Sequence, residues 1–593
     1  MNIKDALSTF QIHKKQDAPH TLTTTWGACL DDKHVLDEYP RPQMRRKEWI
    51  NLNGLWDYAF TSENHRPLKF DGKILVPFSP ESVLSQVKRQ LKPGEFLWYH
   101  RTFSLSQLLY GKRLLIHFGA VDQDCSIYLN GKQVGSHQGG YLAFTVDLTR
   151  YIHIGSNTLW IRVRDESDLS WKSRGKQTLN PGGMFYTAQS GIWQTVWMEW
   201  VPRNDIRSLR ITPDFDDACV TLDIQTHNPT EKVISIYSGE DKLCTHTTFM
   251  KSIRIPLPDF HPWSPEEPFL YGLTISTQED EIESYFAMRK FSTGRDERGI
   301  SRLFLNNRPY FMNGVLDQGY WPDGLYTAPT DEALIFDIAS MKNLGFNTIR
   351  KHLKIEPLRW YYHCDRMGMI VWQDIPNGGG RSIKTFLCYL PTALPFITTR
   401  FADNHYRLFS RSCKAGRKQW LRECRETIDL LYNCPCIALW TLFNEGWGQF
   451  DAKRVEARVR EWDATRLIDH ASGWYDQGGG DIRSVHNYFR PLKVVLENRP
   501  FVLSEYGGYT CRIPDHCCTD SSYGYRAFPT PQDFADAFQK LRETIARMEQ
   551  DGLAAAIYTQ LSDVEEEVNG LFTYDRKVCK LRLTNEGVPK VLS

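Results

Sequence analysis

Eight candidate strands between residues 309 and 560, most of them separated by helical stretches, constrain this chain more than any other feature. They lie at 309–315, 346–352, 369–375, 437–443, 467–471, 484–489, 501–505 and 554–560. Strands divided by helices pair in parallel, since each helix returns the chain to the same end of the sheet. Eight such units in about 285 residues predict a (β/α)₈ TIM barrel. The helix after the first run carries its own punctuation. Thr330 is placed to cap it, Asp331 and Glu332 fall in its first turn, Leu334, Ile338 and Met341 share a face, and Gly345 is placed to end it. The stretch 377–416 is too long for an ordinary connection and reads as a functional loop near the barrel mouth.

Upstream the texture is all-β. Aromatic runs such as Leu55–Phe60, Phe96–Tyr99, Arg113–Phe118 and Gly191–Trp197 recur without a helix-period segment between them. Asn130-Gly131 marks a tight hairpin turn, because both residues tolerate positive φ. Shorter alternating runs and proline punctuation at Pro256, Pro258, Pro262 and Pro265 fill the next hundred residues. The expected organisation is an arm at 1–20, a β-sandwich at 21–202, a small immunoglobulin-like β-sandwich at 203–297 and the barrel at 298–593.

Charge narrows the partners. Lys plus Arg number 72 and Asp plus Glu 71, so no basic excess exists to neutralise a phosphate backbone, and nucleic acid is excluded. A neutral or mildly charged substrate fits better than a polyanion. The polar start of the chain lacks the apolar core of a secretory signal, and no apolar run approaches the ~18 residues of a membrane span. The 14 cysteines follow no regular spacing. Cys434-Pro-Cys436 and Cys517-Cys518 lack paired zinc-site spacing and read as buried thiols. A reduced, cytoplasmic protein is expected.

Barrel chemistry sits at the C-terminal ends of strands. Two runs end there in a carboxylate: the fourth in Asn444-Glu445-Gly446 and the seventh in Glu505-Tyr506-Gly507. Glycoside hydrolysis needs such a pair, one carboxylic acid to protonate the leaving oxygen and one carboxylate to attack the anomeric carbon or activate water. Either glutamate alone would read as a rim salt bridge; two at equivalent strand ends favour the catalytic reading.

These motifs resemble those of glycoside hydrolase family 2. Asn444-Glu445 and Ser504-Glu505-Tyr-Gly-Gly look like its acid/base and nucleophile motifs, and Asn51–Asp57, Trp98–Phe103 and Ser190–Trp197 resemble its sugar-binding sandwich. Tyr310–Gly314 and Leu344–Arg350 resemble its barrel start, so the likeness runs from about residue 40 to 578. It implies a jelly-roll-like sandwich, an immunoglobulin-like domain, a TIM barrel and retention of anomeric configuration. It assigns Glu445 as acid/base, Glu505 as nucleophile and Asn444 to the sugar 2-hydroxyl. Tyr488 would hydrogen-bond the nucleophile, and Arg350 would hold a catalytic carboxylate ionised. Asp317, Asp374 and His486 are further substrate-binding candidates, with Trp321, His352 and one of Glu565, Glu566 and Glu567 behind them. No cofactor is required; some relatives bind Mg²⁺, but no ligand set can be placed here. The family often associates, so a homo-oligomer is compatible with it.

Substrate signatures diverge. β-Glucuronidases of the family carry Asn-x-Lys before a Gly-Ile/Leu-Phe-Thr segment, whereas this chain has Glu567-Val-Asn569 before Gly570-Leu-Phe-Thr573. An uncompensated Glu567 would repel a uronate by about 1 kcal/mol at 4 Å in water. The β-galactosidase pattern on the second strand has Ser-His after the arginine, but here it reads Arg350-Lys-His-Leu353. The resulting expectation is a retaining exo-β-glycosidase of β-galactosidase-like type. β-Glucuronidase, β-galacturonidase or β-mannosidase activity on the same scaffold, or a non-catalytic carbohydrate-binding protein, stand as alternatives.

Overall fold

The computed structural model describes residues 21–380, 386–387, 390–393, 398–399 and 401–581. The arm expected at 1–20 and part of the insertion at 377–416 lie outside them. Residues 49–202 form two facing antiparallel sheets. Four strands lie in the order 49–51, 196–202, 112–118, 144–147, and six in the order 72–76, 54–61, 96–105, 155–164, 124–129, 132–138. Alternate residues face inward, so Trp56, Leu97, Tyr99, Ile116, Ile127 and Ile161 fill one core. Asn130 and Gly131 take φ of +50° and +84°, and Leu129 pairs with Lys132 across the turn. Two smaller sheets, of three and four strands over 206–286, enclose a second core around Ile211, Leu222, Ile236 and Ile275.

The barrel strands are β1 (Met312–Asp317), β2 (Thr348–Lys351), β3 (Ile370–Asp374), β4 (Ile437–Thr441), β5 (Leu467–Asp469), β6 (Arg483–Asn487), β7 (Phe501–Gly507) and β8 (Leu553–Thr559). They pair in parallel in the order β5-β4-β3-β2-β1-β8-β7-β6, an eight-stranded, nearly closed barrel. Gly314 lets β1 and β8 approach, because a Cβ there would lie 2.4 Å from Ile557 Cδ1.

Helices α1 (Asp331–Asn343), α2 (Leu358–Met367), α3 (Lys414–Leu431), α4 (Ala452–Trp462) and α5 (Pro531–Asp551) pack outside. Thr330 caps α1 by accepting from Ala333 N, and Gly345 follows its end at φ +85°. Among the described residues no helix follows β5 or β6, and no ladder joins these two strands. Asp481 closes the gap: its amide donates to Ile468 O at 2.8 Å and its carboxylate accepts from Ile468 N at 2.7 Å. The described part of the insertion packs Phe386 and Phe409 against Tyr475, with Trp447 and Trp474 alongside.

Candidate active site

The turn after β4 aims Glu445 across the mouth. Glu445 adopts φ +52° and Gly446 φ +74°, and Glu445 N donates to Ser472 O at 2.9 Å. A left-handed glutamate costs on the order of 1–3 kcal/mol and persists only where its surroundings hold it. Glu505 lies within β7 and is 4 % exposed.

Arg350, at the end of β2 and fully buried, organises the floor. Its Nε and Nη2 each donate to Asp374 at 3.0 Å, Nη2 also to Asn444 Oδ1 at 2.8 Å, and Nη1 to Glu505 Oε1 at 3.2 Å. Tyr488 donates its hydroxyl to Glu505 Oε2. Burial pushes the Glu505 carboxyl upward more than any other single influence. His486, Arg350 and Lys176, with the Tyr488 hydrogen bond, outweigh it together and hold the group below the usual carboxylate range.

His486 lies between the two glutamates. Its Nδ1 is 2.9 Å from Glu445 Oε1 and its Nε2 is 3.4 Å from Glu505 Oε1. One oxygen of each carboxylate and a nitrogen of His486 all lie within 4.8 Å of one another. Such a pair can present an oxygen nucleophile and a proton-transfer group to the same bond. It is also the one grouping of three His, Cys, Asp or Glu side chains among the described residues that could hold a metal. Mg²⁺ demands a near-octahedral oxygen shell. Two carboxylates and an imidazole already hydrogen-bonded to its neighbours do not fit it.

The remaining candidates separate. Asp317 and Asp374, expected to receive sugar hydroxyls, are instead spent on cations. Asp317 accepts from Lys351 Nζ and, at 2.7 Å, from Gly319 N, while Asp374 is gripped by Arg350. Both are buried, so they act through those cations rather than on the ligand. Trp321 packs in the core under the Arg576 guanidinium, 4.2 Å from its ring centre, and offers no open stacking face. His352 gives its Nδ1 to Gln318 Oε1 at 2.8 Å. Burial first, then the Lys176, Arg350 and His486 charges, press its pKa far below the ordinary histidine value, leaving a neutral ring.

The Glu565–Glu567 run is neither a solvated face nor a set of sugar contacts. It clasps a loop of the N-terminal sandwich. Glu565 accepts from Thr187 N at 2.9 Å, Glu566 from Gly183 N at 2.6 Å, and Glu567 from the Tyr186 hydroxyl. Glu567 Oε1 also accepts from Asn569 Nδ2 at 3.0 Å, and Lys176 Nζ stands 3.9 Å from its Oε2. The repulsion expected from an uncompensated Glu567 is therefore removed. Lys176 and this loop went unread in the sequence, since 165–190 has no periodicity and its partners lie nearly four hundred residues away. All thirteen described cysteines are free, Cys434, Cys436, Cys517 and Cys518 being buried.

The sugar-binding domain of glycosyl hydrolases family 2 matches residues 82–202, the model described as glycosyl hydrolases family 2 matches 204–289, and that family's TIM barrel domain matches 298–578. The chain belongs to glycoside hydrolase family 2. A putative β-glucuronidase of Formosa agariphila is 22% identical over 69% of this chain and 50% of its own length. The match thus spans half of that relative. The β-galactosidase large subunit of Leuconostoc lactis is 24% identical over 74% of this chain and 70% of its own. A β-glucuronidase structure from an uncultured Clostridium shares the fold, with a TM-score of 0.71 at 17% identity over 91% of this chain and 97% of that one.

Proposed function

We propose that this chain is a retaining exo-β-glycosidase working by double displacement, with Glu505 as nucleophile and Glu445 as acid/base. The carrying observation is the approach of the two carboxylates, whose nearest oxygens lie within 4.8 Å. Retaining pairs stand about 5–5.5 Å apart, whereas inverting pairs leave ~6.5–9.5 Å for a water. Glu505, held ionised, attacks the anomeric carbon while Glu445 protonates the leaving oxygen. Water activated by Glu445 then releases the sugar from Glu505. Asn444 is held by Arg350 at the position that meets the 2-hydroxyl. The cleft beside Glu445, of about 220 Å³ and bordered by Met184, Trp474, Tyr488 and Tyr525, is large enough for one sugar unit of an aglycone.

A terminal β-galactoside is the first glycone reading. A uronide is the second, favoured by Lys176 beside a Glu567 whose charge is already satisfied, and by the glucuronidase among the relatives. Cytoplasmic action without a cofactor accords with both. The test is a panel of aryl β-glycosides covering galactose, glucose, mannose, glucuronate and galacturonate, followed by Glu505→Gly with and without azide on whichever is cleaved. Loss of activity and its rescue by azide are expected. A wild type inert on the whole panel, or a fully active E505G, defeats the reading.

A further inference from the structure

We propose that His486 shares the catalytic proton with Glu445, so that the acid/base group is a Glu445–His486 pair and not a lone carboxyl. This rests on the role of Glu445 proposed above. The serines beneath the ring carry the inference. The Ser472 hydroxyl donates to Ser504 Oγ at 3.1 Å, as Ser484 does at 2.7 Å, and Ser504 donates onward to Val485 O at 3.4 Å. Its hydrogen spent, Ser472 Oγ presents a lone pair to His486 Nε2 at 3.1 Å. Glu505 Oε1, an acceptor when ionised, faces the same nitrogen at 3.4 Å. Both neighbours require a hydrogen on Nε2.

The ring nitrogen left to share a proton is Nδ1, 2.9 Å from Glu445 Oε1. That line holds one proton. It sits on the carboxyl beside a neutral imidazole, or on Nδ1 in an imidazolium–carboxylate pair.

The ring cannot swing out of this line. A Cβ on Gly473 would lie 2.7 Å from its Cγ and Nδ1, and only the φ of +82° at that glycine allows the backbone so close. Trp474 packs against the ring at 62°, and β6 holds His486 in register opposite Glu505. The charged and titratable groups around it are Glu445 after β4, Asp469 on β5, Glu505 on β7, Arg350 on β2 with His352 just past that strand's end, and Tyr488 just past the end of β6.

The proton balance follows. In glycosylation the Glu445 O–H bond breaks, and the leaving oxygen gains that proton and the electron pair of the broken C–O bond. A Glu505 oxygen forms the new C–O bond. The pair is then empty, with the Nδ1 lone pair facing a carboxylate oxygen. Two acceptors at that distance with nothing between them favour proton uptake. The attacking water supplies it, its oxygen bonding to the anomeric carbon as Glu505 departs.

His486→Asn and His486→Gln remove the titratable nitrogen; using both, each checked by its melting midpoint, guards against one failing to fold. The readout is the pH profile of kcat/KM on a phenyl and a 2,4-dinitrophenyl glycoside of the cleaved sugar. The phenyl leaving group needs the acid; the dinitrophenyl one leaves without it. We expect the alkaline limb to move down by at least one pH unit, and the phenyl substrate to lose at least tenfold more than the dinitrophenyl one. Equal losses on both, with the limb unmoved, overturn the proposal and leave His486 a packing residue. Glu445→Gln is run in parallel. If it shows the leaving-group dependence and the His486 variants do not, only this proposal fails; if it does not, the acid/base assignment itself falls and takes this one with it.

Discussion

Both ends of the barrel bury a carboxylate, and they treat it oppositely. At the mouth, Glu505 is 4 % exposed and held below the usual range; at the closed end, Asp365 in α2 is 0 % exposed and pushed up to about 6. Depth is therefore not the deciding variable. Burial is the largest influence on each and acts upward on each. Asp365 accepts from Cys436 N and from the Tyr285 hydroxyl of the immunoglobulin-like domain, each at 2.7 Å, and the one cation that acts on it, Arg289, does so with less effect than these hydrogen bonds and without a salt bridge among the described residues. Neutral donors recover only part of the burial penalty. Glu505 has the Arg350 guanidinium in contact, with His486 and Lys176 near enough to act on it. The mouth spends buried cations to keep one carboxylate ionised. The closed end uses hydrogen bonds to tie two domains together and lets its carboxylate take up a proton at a higher pH than usual.

Arg350 is the sharpest place to break this contrast. Arg350→Met leaves Asp374 and Glu505 buried without a counterion, and losing one partner of a buried pair costs about 3–5 kcal/mol. We expect a lower melting midpoint, kcat/KM reduced by roughly 10²–10⁴-fold, and an acidic limb of the rate profile moved upward as Glu505 becomes harder to ionise. A variant with wild-type pH dependence would show that the cation does not set the charge at the mouth. Tyr488→Phe probes the same carboxylate more gently. It removes one hydrogen bond to a charged group, about 1.5–3 kcal/mol, so kcat is expected to fall by about 10–100-fold with little change in the melting midpoint. A drop below threefold would mean that the Glu505 charge is maintained without that hydroxyl.

The same contrast explains what could be read in advance. Most of the eight strands were legible because they are continuous apolar runs, as strands buried on both faces must be. Glu445 and Glu505 were legible because each follows such a run into a glycine. The missing helices after β5 and β6 were not, since a stretch such as 488–500 has a helix's length, while Pro491 and Pro500 interrupt it. Nor was the turning inward of Asp317 and Asp374. A carboxylate at a strand end faces ligand or protein according to whether a cation lies beside it, and Lys351 and Arg350 reach them from the neighbouring strand. The part played by the Glu565–Glu567 run, one of which was a substrate-binding candidate, was not legible because its partners, the amides of Gly183 and Thr187, are distant in sequence and belong to another domain.

The smallest expected effect lies at the closed end. The Asp365 carboxyl loses its proton near pH 4 in the unfolded chain and near 6 in the folded one. Between those values the folded state holds the extra proton, so stability falls as pH rises through the window and is level above it. Asp365→Asn removes the titration while keeping an oxygen for Cys436 N, and its amide can donate to the Tyr285 oxygen in place of the bond it loses. The wild-type unfolding free energy should therefore decline relative to that of D365N between pH 4 and 6, by an amount on the order of 2 kcal/mol and with a matching fall in melting midpoint, while kcat/KM on the cleaved glycoside stays unchanged. Parallel melting curves across that window would mean that Asp365 is ionised in the folded protein after all. The two ends of the barrel would then differ in their partners but not in the charge they carry.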